Sequence, residues 1–293
     1  MTSVQSAPCG HEFTAQRHWS ARLNATCAVR RGKTVLTKLD FEGPLNLKAL
    51  LYPEPPYQGV LPAEAILLHP PGGLVSGDDL RIALTTEPQA RLLVTTPAAT
   101  MVYGTDQYAV PQRQAVHLTV TDSVLEYLPA ETIVFDRAQA HLSLEVELRG
   151  KGVFIGAETL VLGRKVGAQP FTQGALSQRA VIWRNGHLLL NEHLQLTLPQ
   201  DQRLLAANCG WAGATVLSTF YAVGPHDEGA ALEQLAAKLN GQGLGVTSLH
   251  AMLIGRYLGS SVATAERWIF DLWAQVRPVL TKLAARPLRI KNC

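Results

Sequence analysis

Strict alternation of apolar and polar side chains is the feature that most restricts how this chain folds. Between positions 141 and 149, leucine or valine stands at every second residue and polar side chains fill the places between them. The second half of the segment 187–198 alternates in the same way. A period of two residues is the pattern of a strand with one buried and one exposed face. Both segments are therefore predicted strands.

Shorter strand candidates recur along most of the chain, with glycine and proline between them. They lie at residues 34–37, 66–69, 91–95, 115–121 and 132–135. Many short strands separated by turn residues favour stacked or sandwich-like sheets. We predict a mainly β fold, with a large multi-stranded β body over residues 1–224.

The apolar pattern changes to helical spacing after Gly224. Leucine and alanine recur at helical intervals between residues 232 and 239, and Asn240-Gly241 then supplies a stop signal. A second helical stripe runs from about residue 264 to 279, and the segment 248–258 between the helices has room for one strand. We predict a small α+β subdomain with two helices over residues 225–293.

Composition excludes several classes of protein. The 293 residues carry a net charge of only +3, and the basic residues are scattered rather than clustered, unlike those of nucleic-acid-binding proteins. The N-terminal segment has no apolar core of a signal peptide, and no apolar run is long enough to span a bilayer. The four cysteines lie far apart, without metal or redox spacing. A reduced, cytoplasmic protein is expected.

A loop rich in glycine and proline occupies residues 69–79 and follows an apolar run. His69 opens it, while Gly72, Gly73 and Gly77 permit backbone shapes that other residues avoid. A tight turn without chemistry would explain these residues. His69 is also a candidate for a positional hydrogen bond or for transient metal binding.

Carboxylates stand where a charge is costly. Glu158 lies inside a run that is apolar at both parities, and Glu192 shares the parity of the inward-facing leucines of its strand. Asp78 is a third acid, at the exit of the loop. A buried carboxylate needs a partner or a ligand. Either an arginine such as Arg164 or Arg179 pairs with these acids, or they line a hydrated cavity that handles a divalent cation transiently.

Several segments together resemble one family, the urease accessory proteins called UreD or UreH. The blocks are the loop at 69–79 and the segments 125–136, 160–164, 256–259 and 272–278. They stand in the order found in the family and cover roughly residues 20 to 290.

The resemblance implies a non-enzymatic maturation factor with no permanently bound cofactor. Such a protein docks on the apo-urease subunits, binds the accessory protein UreF, and meets the GTPase UreG through it. Ni²⁺ would pass through an internal, water-filled channel. By the same resemblance, Asp78, Thr100, Glu158 and Glu192 fall at channel positions, with the three acids as transient metal ligands. Arg256, Trp273 and Arg277 are candidates for partner docking.

Two other interpretations remain open on the residues alone. Paired carboxylates in a β-rich body also suit a glycosidase-type hydrolase, whose two acids stand about 5–10 Å apart across an open cleft. A pure scaffold would have all its buried acids ion-paired. Met101, Gly104 and the ending 287–292 depart from the pattern of the resembled family. The high apolar fraction, 47%, also predicts self-association in the absence of partners.

Overall fold

The alternating segments form strands of two facing β-sheets in a computed structural model of the chain, which describes residues 15–48, 50–164 and 167–288. Cys9, Cys293 and the last residues of the divergent C-terminus lie outside the described residues. Cys27 is a buried free thiol, and Cys209 is an exposed one.

The first sheet has seven strands. From one edge to the other they are β15 (His187–Leu198), β14 (Gly174–Arg184), β12 (Gln139–Arg149), β9 (Gln112–Thr121), β6 (Asp78–Thr86), β1 (Trp19–Arg30) and β2 (Lys33–Glu42). The five strands in the middle, from β14 to β1, run parallel, and the two edge strands pair antiparallel.

The second sheet has eleven strands. Its main path is β17 (Val246–Leu249), β18 (Met252–Gly259), β16 (Val216–Val223), β13 (Val153–Leu162), β10 (Val124–Leu128), β7 (Arg91–Thr95), β4 (Ala63–Leu68) and β3 (Asn46–Leu47). Three short strands join beside β13: β11 (Thr132–Val134), β8 (Thr100–Val102) and β5 (Gly73–Leu74).

The chain crosses repeatedly between the two sheets. The chain passes from β6 to β7, later from β9 to β10, and then from β12 to β13, crossing each time to the other layer. Parallel neighbours need a long crossover connection, which is usually a helix. Here a strand of the facing sheet supplies it, and buried residues of both sheets, such as Leu118 and Phe154, form the core between the layers.

Helices cover the outer face of the second sheet. α2 (Gly229–Gly241) and α3 (Val262–Thr281) bury Leu232 and Leu272 against Ile155 and Phe220, while the short α1 (Gln202–Ala206) lies elsewhere in the chain. Strand β13 is therefore covered on both faces, which explains its apolar character at both parities. The side chain of Ser261 accepts a hydrogen bond from the amide of Thr264 and caps α3.

The mainly β fold and both long helices are confirmed, but one element was predicted wrongly. The segment 248–258 does not hold a single strand; it forms the hairpin of β17 and β18. His250 and Ala251 make the turn with φ values of 49° and 60°, a conformation usually associated with glycine or asparagine. Histidine and alanine are not typical turn residues, so the sequence pattern did not predict this turn.

Strands β17 and β18 pair onward to β16, so the residues after 225 share a sheet with the β body. The boundary between residues 224 and 225 stays a prediction.

Self-association also stays a prediction. Edge strand β2 exposes Leu39 and Phe41, which is the kind of surface that can pair with another chain. No helix in the described ranges combines the length and the apolar character needed to cross a bilayer.

Candidate functional site

A row of polar side chains crosses three neighbouring strands of the second sheet. Glu158 on β13 is the register partner of Thr219 on β16, which is in turn the partner of Arg256 on β18. Register partners project from the same face of a sheet. Two strand spacings separate the ends of the row by about 10 Å. The row therefore leads from the middle of the sheet toward its edge.

An outer cavity of about 370 Å³ lies along this row, between the two sheets. Glu158, Thr219 and Arg256 line it from the second sheet, and Gln178 and Glu192 line it from the first. Glu192 faces inward with the leucines of β15, as its parity predicts. Its carboxylate forms an ion pair with Arg256, and the two side chains are 32% and 46% exposed.

An inner cavity of about 100 Å³ lies next to the outer one. Glu158 and Gln178 line this cavity as well, so these two side chains stand where the cavities meet. At its other side it is lined by His69, Gly72 and Thr100. The two cavities together run between the sheets, from the Glu192–Arg256 pair to the glycine-rich loop. We call them the intersheet passage.

The carboxyl group of Glu158 has an unusual pKa. Burial raises the pKa of Glu158 from 4.5 to about 7, hydrogen bonds from Gln178 and Tyr221 oppose the rise, and the charge of Glu192 adds to it. The Tyr221 hydroxyl donates to Oε2 of Glu158 at 3.1 Å. Near neutral pH this carboxyl is therefore partly protonated and partly ionised, and its ionised form can bind a cation.

The raised pKa of Glu158 predicts a stability that falls as pH rises. Between pH 4.5 and about 7 the unfolded chain releases a proton that the folded chain retains. We expect Glu158→Gln, which removes this titration, to gain about 3 kcal/mol in free energy of unfolding at pH 8 relative to the wild type, and little at pH 4.5.

Urea unfolding of both proteins at the two pH values measures this gain. The control is Glu145→Gln on the exposed face of β12, with an expected change below about 0.5 kcal/mol at either pH. An equal gain at pH 4.5 and pH 8 would mean that burial of the Glu158 charge is not the cause.

The glycine-rich loop brings its backbone close to other segments. A Cβ added to Gly73 would lie 2.5 Å from the carbonyl oxygen of Met101, because β5 pairs tightly with β8. Gly77 has a φ of 89° and lies against the backbone of Arg17. Gly72 donates its amide to the carbonyl of His69 at 2.8 Å. The loop therefore closes one side of the inner cavity.

Asp78 has a different place from the one that the resemblance implies. Its carboxylate accepts the amide of Val75 at 2.8 Å and so closes the turn before β6, and Asp78 is not among the residues that line either cavity. Burial raises its pKa, and the Val75 amide and Arg17 oppose the rise. Asp78 therefore bonds within the loop. Of the four residues that the resemblance places in the channel, Thr100, Glu158 and Glu192 line the passage.

His69 lines the inner cavity with a half-buried ring. Its Nδ1 is buried without a hydrogen-bond partner in the described parts of the chain, and burial lowers the pKa of the imidazole. His69 is thus a neutral ring at the closed side of the passage. Among the described residues, no three His, Cys, Asp or Glu side chains converge into a metal-binding group.

Comparison with known proteins identifies the family. The profile of the family described as "UreD urease accessory protein" matches residues 20–292. The chain belongs to the UreD family. A UreD from Chromohalobacter salexigens is 38% identical over 291 residues, which cover 97% of this chain and 92% of the relative. A UreD from Marinobacter nauticus is 38% identical over 288 residues (96% and 95%), and one from a Janthinobacterium species is 35% identical over 280 residues (94% and 92%).

Two docking candidates of this UreD chain need correction. Trp273 and Arg277 are each 1% exposed, because α3 turns them toward the second sheet, where both contact Glu126. In this conformation they cannot touch a partner. Arg256 is half-exposed and remains available, although its described contact is with Glu192.

Sequence reasoning missed two residues of the UreD passage, Gln178 and Tyr221. Tyr221 shares the parity of Thr219 on β16, and Gln178 shares that of Ala180, which pairs with Glu192. Parity therefore held a signal for both. Parity gave no signal that Arg256 would pair with Glu192. Arg179, which was expected as a partner, donates instead to Asn191. The described bonds of Glu158 involve a tyrosine and a glutamine rather than Arg164 or Arg179.

Proposed function

We propose that this UreD-family protein passes Ni²⁺ to urease through the intersheet passage and catalyses no reaction itself. The observation that carries the proposal is the position of Glu158, which lines both cavities, is bonded to neutral side chains, and has a pKa near neutrality. A carboxyl in that state can hold a divalent ion briefly and release it.

The chemistry of the lining suits a cargo rather than a resident cofactor. A storage site for nickel would offer a closed set of nitrogen or sulfur ligands. The passage instead presents separate oxygen groups, on Thr100, Glu158 and Glu192. Conduction requires contacts that are favourable enough for entry and weak enough for exit. Ni²⁺ is thus a substrate that passes through.

The proposed partners follow from the family. The chain would dock on the structural subunits of apo-urease and on UreF, and would receive nickel from the GTPase UreG through UreF, in the cytoplasm. A glycosidase-type hydrolase would need its acids across an open cleft. Glu158 opens onto cavities between two sheets, and Glu192 is engaged by Arg256, which favours transfer over hydrolysis.

A substitution at Glu158 tests the proposal. Urease is co-expressed with the accessory proteins at limiting nickel, and the nickel content and activity of the purified urease are measured. With Glu158→Gln we expect roughly a tenfold loss of both, because the carboxylate at the junction is gone. Glu145→Gln, on the outer face of β12, should match the wild type. Equal nickel loading with Glu158→Gln and wild type would exclude transfer by way of this residue.

A further inference from the structure

Arg256 places a positive charge at the outer end of the intersheet passage. Its guanidinium group extends from β18 of the second sheet to the carboxylate of Glu192 on β15 of the first, so the ion pair bridges the gap between the sheets. Both side chains line the outer cavity. A cation that approaches Glu192 from this end therefore meets another cation already bound there.

We propose that Arg256 is a displaceable counter-ion, which occupies Glu192 until a divalent cation replaces it. The inference rests on the proposed function and adds the residue that controls entry and exit at this end of the passage. Arg256 would be a positioning residue, which acts through Glu192 rather than by binding the metal itself.

The surroundings of the pair fit an exchange. Arg256 is 46% exposed, so water can solvate the guanidinium when it leaves Glu192. An ion pair that is partly open to solvent is weak and easily replaced. The next acid along the passage, Glu158, is bonded by Tyr221 and Gln178, and no described contact joins it to Arg256. Loss of the pair therefore leaves the rest of the passage in place.

A resident arginine has two physical consequences. It makes the equilibrium affinity for nickel lower than Glu192 alone would give, which keeps the ion from being trapped. It also selects for charge: a divalent ion gains about twice the Coulomb energy of a monovalent ion at the same carboxylate, so Na⁺ and K⁺ displace the guanidinium far less readily. The passage would then stay closed to the abundant monovalent ions.

Equilibrium nickel binding by the full-length chain tests this assignment. Nickel is titrated against a coloured chelator of known affinity in competition with wild type and variants. We expect Arg256→Gln to bind Ni²⁺ about tenfold more tightly than the wild type, because an ion-pair competitor and a nearby positive charge are both removed. Arg256→Lys, which retains the charge, should stay within about threefold of the wild type.

Two further variants make the result specific. Arg179→Gln removes the same charge from β14, the strand next to β15, without touching the outer cavity, and should leave the affinity unchanged. Glu192→Gln combined with Arg256→Gln should remove the gain in affinity. A gain of equal size with Arg179→Gln, no gain with Arg256→Gln, or a gain that survives the loss of Glu192 would each overturn the assignment.

The outcome is separable from that of the proposed function. Unchanged nickel binding by Arg256→Gln, together with impaired urease loading by Glu158→Gln, would remove the role of Arg256 and leave nickel transfer intact. Tighter binding by Arg256→Gln with normal loading by Glu158→Gln would support the exchange at Glu192 and remove transfer past Glu158.

Discussion

Replacement of Arg277 by alanine is expected to lower the free energy of unfolding by about 3–5 kcal/mol. Arg277 is buried within a network of acids: its Nε lies 2.9 Å from Oε2 of Glu126, and its Nη2 donates to Oε1 of Glu54 at 2.7 Å. Removal of the guanidinium would leave Glu126 buried without its cationic partner and Glu54 paired with Arg286 alone. An uncompensated buried charge costs far more than the pair contributes by itself.

The contacts of the network also indicate which part of the protein the Arg277 substitution would destabilise. Trp273, one turn before Arg277 on α3, donates its indole N–H to the same Glu126 at 2.6 Å, and Glu126 lies on β10. Arg286, in the segment after α3, pairs with Glu54 and with Glu64 on β4. The network thus fastens α3 and the following segment to the second sheet, and its loss should loosen the helical layer first.

Urea unfolding, followed by far-ultraviolet circular dichroism, measures the effect. The matched control is Arg149→Ala, which breaks an exposed ion pair with Glu147 and should cost less than about 1 kcal/mol. Glu126→Gln is a second probe, since it retains the shape while removing the charge that Arg277 meets. A loss for Arg277→Ala no larger than that for Arg149→Ala would mean that the network does not stabilise the fold.

Periodicity was enough to predict strand β12 and the second half of β15, and it also predicted which way some side chains face. Strand β13 is apolar at both parities, because a sheet covers one face and helices the other, and Glu158 could be singled out there as a costly charge. The parity of β15 correctly predicted that Glu192 faces inward. Both predictions depend only on the local sequence, so they did not require knowledge of the strand order.

Contacts between distant segments could not be read from periodicity. Arg256 and Glu192 are 64 residues apart, and Arg277 and Glu126 are 151 apart. Which arginine meets which acid depends on the order of strands in both sheets, and the sequence pattern does not specify that order. The expected partner Arg164 follows the end of β13, and Arg179 lies on β14 beside Glu192's strand but on its exposed face, where it donates to Asn191.

A local hydrogen bond explains why one of the predicted channel acids, Asp78, lies outside the passage. Asp78 follows a glycine-rich loop, and its carboxylate is used by the amide of Val75 three residues earlier. Short polar side chains commonly bond nearby backbone in this way. Its position after the loop and the resemblance both grouped Asp78 with the channel acids, yet it lines neither cavity, while Thr100, from a strand of three residues, lines the inner one.

Obstruction of the intersheet passage tests the central claim most directly. Gln178 stands where the two cavities meet, and the neighbouring Arg179 points outward on the same strand. Gln178→Trp adds bulk at the junction, Gln178→Leu removes the amide with little change in volume, and Arg179→Trp adds the same bulk outside. Circular dichroism and thermal unfolding would first establish that all three variants are folded.

The decisive measurement is the nickel content of urease after activation with each variant at limiting nickel. Passage of the ion between the sheets predicts at least about a tenfold loss with Gln178→Trp, an intermediate effect with Gln178→Leu, and normal loading with Arg179→Trp. Normal nickel loading by a folded Gln178→Trp variant would contradict a route through the interior of this protein.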